Sequence, residues 1–162
     1  METLERIIAS HSFVQGLEEK YIELIVGCAA NVRFEPEQFV CREGEEADNF
    51  FLIRHGKIAL EIFMPERGAT VIETLGENEI LGWSWFFPPY RWHFDAKAIE
   101  LTRAIAFDGK CLRRKCEENH DLGYELAKRF AAMLMERLQA TRLRLLDLFH
   151  SKGAKLDYWG LT

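Results

Sequence analysis

The chain of 162 residues has little proline or glycine, 4 and 11 residues. At 48% apolar and 29% charged it is not collagen-like, low-complexity or disordered. It has no excess of positive charge: 21 Lys and Arg stand against 26 Asp and Glu, a net charge of −5. No global basic field therefore draws in nucleic acid or an anionic membrane, and DNA binding would need a local patch. No uninterrupted apolar run nears the roughly 18 residues that cross a bilayer, and the opening METLERIIAS lacks the cationic start and apolar run of a secretory signal. A cytoplasmic protein with no membrane partner is expected. Cys28, Cys41, Cys111 and Cys116 form no C-x-x-C pair and are expected to be reduced, mostly buried thiols. His11, His55, His93, His120 and His150 form no H-x-H or H-E-x-x-H pair. A lone His93 or a cysteine on a haem is the metal reading left, against the commoner one of an imidazole satisfied by a backbone partner. Gly82-Trp83-Ser84-Trp85-Phe86 lacks the second glycine of a nucleophile elbow, so no enzyme is expected and no cofactor is identified.

What is present is a change of period. Leu4, Ile7, Ile8, Phe13, Leu17, Tyr21, Leu24, Ile25 and Cys28 step mainly by three and four, the stripe of a helical lead-in over 1–30 that breaks near Gly16. From Val32 to Phe107 the period is two, or short apolar runs: Phe39 and Cys41, Phe50–Ile53, Ile58–Phe63, Val71–Leu75, Phe94–Ile99 and Arg103–Phe107. Turn signals at Gly44, Gly56, Gly68 and Gly76 separate them at about ten-residue spacing, which predicts a compact antiparallel sandwich or roll. Asp108 is placed to cap a helix resuming near Lys110. Asp121–Phe149 has no proline and predicts one long helix. Along it Ala127, Ala131, Leu134, Leu138, Thr141, Leu145 and Leu148 form a heptad seam. That seam either packs on the roll of its own chain or pairs with a symmetry mate. A length on the order of 40 Å exceeds a small roll and favours a homodimer through residues 127–148. A tail over 150–162, held by Tyr158 and Trp159, completes a single domain with a roll over 31–108 and C-terminal helices over 109–149.

The stretch Ile80–Ala98 holds three of the four tryptophans, two prolines and Arg91. Rigid aromatics with one placed cation make a pocket composition, and Arg91 would meet an anionic oxygen. The same residues also suit a hydrophobic minicore that caps the roll, with Arg91 solvated or ion-paired. The basic cluster Arg113-Arg114-Lys115 and the helix residues Arg137, Arg142 and Arg144 read as a solvated helix face rather than a phosphate-binding patch.

Cys41-Arg42-Glu43-Gly44-Glu45, Asp48, Phe51, Ile53, Gly56 and Ile58, then Leu75-Gly76-Glu77, Ile80-Leu81-Gly82 and Arg137-Leu138-Gln139-Ala140-Thr141, give a pattern that resembles the cyclic nucleotide-binding domain of the catabolite activator and fumarate/nitrate regulator type. The resemblance runs from about Phe13 to Phe149. It implies a mainly β fold with flanking helices: an antiparallel, jelly-roll-like β-roll (a double-stranded β-helix) with N-terminal helices and a long C-terminal dimerisation helix. The implied function is a ligand-sensing regulatory module, with Gly82, Trp83, Ser84, Trp85, Arg91, Trp92 and Thr141 at the ligand. Members that bind cyclic nucleotide follow the glycine with a glutamate that accepts a ribose hydroxyl. Here Trp83 follows Gly82, and an indole accepts no such bond. The span from Gly82 to Arg91 is also shortened, so Arg91 matches the family's phosphate arginine only approximately. The expected ligand is an altered one, a nucleotide or a flat aromatic or apolar anion. Cyclic AMP or cyclic GMP, and an adaptor that binds a partner protein and no small molecule, are the alternatives. Transcription factors of this type continue into a helix-turn-helix, whereas residues 150–162 alone follow Phe149, so direct DNA binding is not expected.

Overall fold

In the computed structural model, which describes residues 1–151, the amphipathic lead-in is two short helices on either side of the expected break near Gly16. Helix α1, Leu4–Ser10, is capped by Thr3, whose Oγ1 accepts from the Arg6 amide. It stops because His11 turns extended and caps the next 3-10 turn, accepting from the Phe13 amide through Nδ1. The other ring nitrogen, Nε2, then carries the proton and donates to the Asn78 carbonyl at 2.7 Å. Both ring nitrogens have backbone partners, as expected of a histidine that binds no metal. Helix α2, Glu19–Val26, ends at Gly27 and strand β1, Ala29–Phe34, follows, so the helical period ends four residues short of residue 30.

The chain divides into two compact units, residues 1–123 and the segment from Tyr124 on. The first holds the roll: β1 with β2 Phe39–Cys41, β3 Asn49–His55, β4 Ile58–Met64, β5 Gly68–Leu75, β6 Ile80–Leu81, β7 Asp95–Ala98 and β8 Thr102–Asp108. These form two four-stranded sheets among the described residues, in the orders β1-β8-β3-β6 and β2-β7-β4-β5, and every pairing is antiparallel. Inward residues of both sheets build one core, including Phe51, Ile53, Ile58, Leu60, Leu81, Ala96 and Ala104. Gly56, at φ +101, lets β3 turn into β4, where a Cβ would stand 2.5 Å from Thr102 Oγ1. The spacing of apolar residues implies a compact antiparallel sandwich or roll, and the family resemblance the mainly β, jelly-roll-like form that is found.

After β8, Asp108 Oδ1 accepts from the Cys111 amide at 3.0 Å and starts helix α3, Gly109–Glu118. The expectation of four reduced thiols is overturned here. Cys28 and Cys111 form a disulfide with a Cα–Cα distance of 5.8 Å, within the span such a bond needs. Cys41 and Cys116 are free. Burial pushes the Cys41 thiol up to about 12 and the Cys116 thiol to about 11. Helix α4, His120–Ser151, begins at the end of the first unit and is the described part of the second. Its seam residues Leu138, Leu145 and Leu148 are 52%, 53% and 58% exposed, far from the burial a packed heptad would have. The positions assigned to Tyr158 and Trp159 lie outside the described residues.

Candidate functional site

Leu81 pairs with Phe51 and fixes β6 against β3, and the cassette from Gly82 to Trp92 departs from this point. Gly82 has φ +104, and a Cβ there would stand 2.8 Å from Trp92 Cη2, so the indole of Trp92 lies directly against the bare α-carbon. Successive turns follow: Phe86 N–H donates to the Trp83 carbonyl at 3.1 Å, and Tyr90 N–H to the Phe87 carbonyl at 2.9 Å. Residues 90–92 then run beside the Gly44–Ala47 turn. The Trp92 amide donates to the Glu45 carbonyl at 3.0 Å, the Gly44 amide to the Trp92 carbonyl at 2.9 Å, and the Ala47 amide to the Tyr90 carbonyl at 2.8 Å.

This pairing gives the segment strand parity. Trp92 and Phe94 are buried while Arg91 and His93 are exposed. Arg91 Nη1 donates to the Gly44 carbonyl at 3.4 Å. Trp83, half-buried, stacks on His93 at 4.9 Å between centroids and 23° between planes. Ser84 is buried beneath them, its Oγ 3.0 Å from His93 Nδ1. Trp85 is wholly buried and stacks on Phe50 at 5.0 Å. Composition suits either a pocket wall or a minicore for Trp85 and Trp92, and the structure puts both rings in the core. The cassette side chains with access to solvent include Trp83, Phe87 and Arg91, with His93 exposed just after the cassette. A cavity of about 370 Å³ lies elsewhere, lined by Ser10, His11, Leu52, Arg54 and Asn78 among others. Thr141 is in the second unit, exposed, with its Oγ1 donating to the Arg137 carbonyl at 2.8 Å. Its place at a ligand is carried by resemblance alone.

One site residue escapes the sequence reading. Arg113 of α3 is half-buried rather than on a solvated face. It donates through Nη1 to the Trp85 carbonyl and lies 4.2 Å over the Tyr90 ring, with Nη2 3.8 Å from Asp48 Oδ1. Lys115 is likewise engaged, donating to the Leu24 carbonyl at 2.7 Å. Arg113 and Lys115 differ from Arg114 in facing inward, a one-position difference on a helix that composition does not reveal. Among the described residues no group of three or more His, Cys, Asp or Glu could hold a metal, and no helix is long and apolar enough to cross a membrane.

A β-roll with a turn-built cassette entered through a positive-φ glycine, flanked by helices on both sides in sequence, is the fold of a regulatory class. The chain belongs to the cyclic nucleotide-binding domain family, which it matches over residues 31–119. It is 25% identical over 145 residues to a CRP-like cAMP-activated global transcriptional regulator of Mycobacterium tuberculosis, covering 90% of this chain and 63% of that protein. The chain thus spans less than two thirds of that relative. Among solved structures, one described as a cyclic nucleotide-binding protein from Geobacter metallireducens superposes with a TM-score of 0.76 at 25% identity, covering 85% of this chain and 99% of that one. The sensor domain of the transcriptional regulator DNR from Pseudomonas aeruginosa superposes with a TM-score of 0.66 at 19% identity, covering 83% and 91%, and shares the fold.

Proposed function

We propose that the chain is a ligand-sensing regulatory module whose small-molecule specificity departs from cyclic AMP and cyclic GMP. The observation that carries this is the pair Gly82-Trp83: a Trp stands where a ribose-gripping carboxylate is expected, its ring committed to the stack on His93. A ribose hydroxyl placed there without an acceptor costs about 1–3 kcal/mol, roughly fivefold to more than a hundredfold in affinity. Trp83 and His93 offer a flat face and Arg91 an exposed cation, which suits a flat aromatic anion. Gly82 and Ser84 shape that face from beneath, and Trp85 and Trp92 anchor it in the core. Ligand contact would act by shifting populations of the cassette, and Arg113 would carry the shift to α3.

A thermal-shift series tests this. Cyclic AMP and cyclic GMP at millimolar concentration are expected to leave Tm unchanged. Aromatic carboxylates or phosphates are expected to raise it, by as much as about 2.7 kcal/mol of added stability at a hundred times Kd. Micromolar binding of either cyclic nucleotide overturns the altered specificity. A second reading, a protein-binding adaptor, is favoured by the core placement of Trp85 and Trp92. Silence toward every ligand class would select it and sink the sensor.

The proposed module is a homodimer through residues 127–148, which would cover the exposed leucines of α4. Light scattering is expected to give twice the chain mass, and Leu145→Glu a monomer. A monomeric unsubstituted chain refutes the dimer.

A further inference from the structure

Helix α3 is held on two sides by different chemistry. Toward α2 it is tied by the Cys28–Cys111 disulfide, which joins residues 83 apart in sequence, and by the Lys115 ammonium on the Leu24 carbonyl. Toward the cassette it is tied by Arg113, on the Trp85 carbonyl and over the Tyr90 ring. Cys111 and Arg113 are two residues apart in the same helix, so whatever fixes the start of α3 also fixes the backbone from which the guanidinium reaches the cassette. The disulfide is the one of these ties that an electron donor can remove.

We propose that Cys28–Cys111 is a redox switch that sets how firmly α3 holds the cassette. Oxidised, the bond clamps α3 to α2 and Arg113 keeps the Trp85–Tyr90 turn closed. Reduced, α3 keeps only its hydrogen bonds and packing there, and the turn opens more often. The chemistry is thiol–disulfide exchange with a protein dithiol. Cys28 is buried and Cys111 half-buried, so the entering thiolate reaches Cys111 Sγ. A mixed disulfide forms and the Cys28–Cys111 bond breaks. Cys28 leaves as a thiolate and takes up the proton that the attacking thiol gave to solvent. The second thiol of the reductant then displaces Cys111 as a thiol. Both electrons come from the dithiol, which ends as a disulfide. Cys41 and Cys116, raised by burial to about 12 and about 11, are protonated at neutral pH and do not attack the bond from within.

For ligand control the switch rests on the sensor reading above, but its own test needs no ligand. In full-length protein trapped with an alkylating agent at lysis from oxidant-treated cells, Cys41 and Cys116 alone are expected to be modified after unfolding; from untreated cells, or after dithiothreitol, all four cysteines are. Hydrogen exchange of residues 83–92 is expected to be roughly tenfold faster in the reduced protein, and to slow again on reoxidation. Arg113→Met in the oxidised protein is expected to speed exchange over 83–92 while leaving the disulfide intact. Cys28→Ser with Cys111→Ser is expected to exchange like the reduced form in either buffer; should that variant not fold, reversible reduction of the unsubstituted chain gives the same comparison. Four modified cysteines under every cellular condition, or equal exchange over 83–92 in the two redox states, overturns the switch. A protein that passes this test and binds no ligand would lose the sensor reading alone.

Discussion

Trp85→Ala is expected to lower the unfolding free energy by about 3–5 kcal/mol, the range for truncating a fully buried tryptophan. The ring has no exposed surface, stacks on Phe50 at 5.0 Å and meets Phe86 edge-on at 5.0 Å. Phe50 in turn lies 4.4 Å from Phe107 of β8 and nearly parallel to it. The indole therefore joins the cassette to the central strands of one sheet, and removing it leaves a void bounded by rings that backbone pairing holds in place. A loss of this size is a large share of the 5–15 kcal/mol that holds a domain together. Urea denaturation followed by circular dichroism measures it. Trp85→Phe retains part of the contact and is expected to cost less than half as much. A ring that lines an open ligand face would behave differently, because its truncation costs little in the absence of ligand. A loss below about 1 kcal/mol for Trp85→Ala would thus return Trp85 to the pocket wall and contradict its core placement.

The contrast between pocket and minicore marks the limit of what the residue types disclose. Ile58–Phe63 and Arg103–Phe107 are legible as strands because their alternation or apolar runs match the pleat, and β4 and β8 stand where those segments do. Strand β1, AANVRF, is not legible: it buries only Phe34 fully, so the helical stripe ahead of it overruns into its first residues. Strand β6 is two residues long and has no period to read. In β5 the apolar residues Val71 and Ile72 are exposed, so an apolar run there does not report the inward face. The disulfide closes over a separation of 83 residues, which no local spacing encodes.

Within the cassette, composition identifies the segment but not which rings point inward. The parity of 91 to 94 carries that information once the segment is known to be extended, since Arg91 and His93 then share one side and Trp92 and Phe94 the other. What establishes the extended state is pairing with Glu45 and Ala47, a contact across more than forty residues. Arg113 is hidden for a related reason. Its neighbours Arg114 and Lys115 make a cationic run that reads as solvated, and only the position of α3 beside the Trp85 turn reveals what the guanidinium holds.

Gly82→Ala is expected to destabilise the protein by about 2–6 kcal/mol, from two separable causes. The first is conformational: at φ +104 an L side chain is strained whatever the space, at about 1–3 kcal/mol. The second is steric, because the new methyl would lie 2.8 Å from Trp92 Cη2 and 3.1 Å from Cζ3. The indole cannot withdraw freely, since it is 5% exposed in the core and its backbone is bonded to Gly44 and Glu45 on both sides. Overpacking of this kind costs about 1–3 kcal/mol. A double-mutant cycle with Trp92→Leu separates the two. Leucine removes the ring that the methyl meets but leaves the backbone angle as it is, so Gly82→Ala in the leucine background should retain only the conformational cost. The coupling between the two positions is then expected to be about 1–3 kcal/mol, in the sense of relief. Additive effects would mean that the indole does not press on the glycine. The space beside Gly82 would then be free for a ligand, and cyclic nucleotide binding would have to be measured again in the unsubstituted protein before its specificity is called altered.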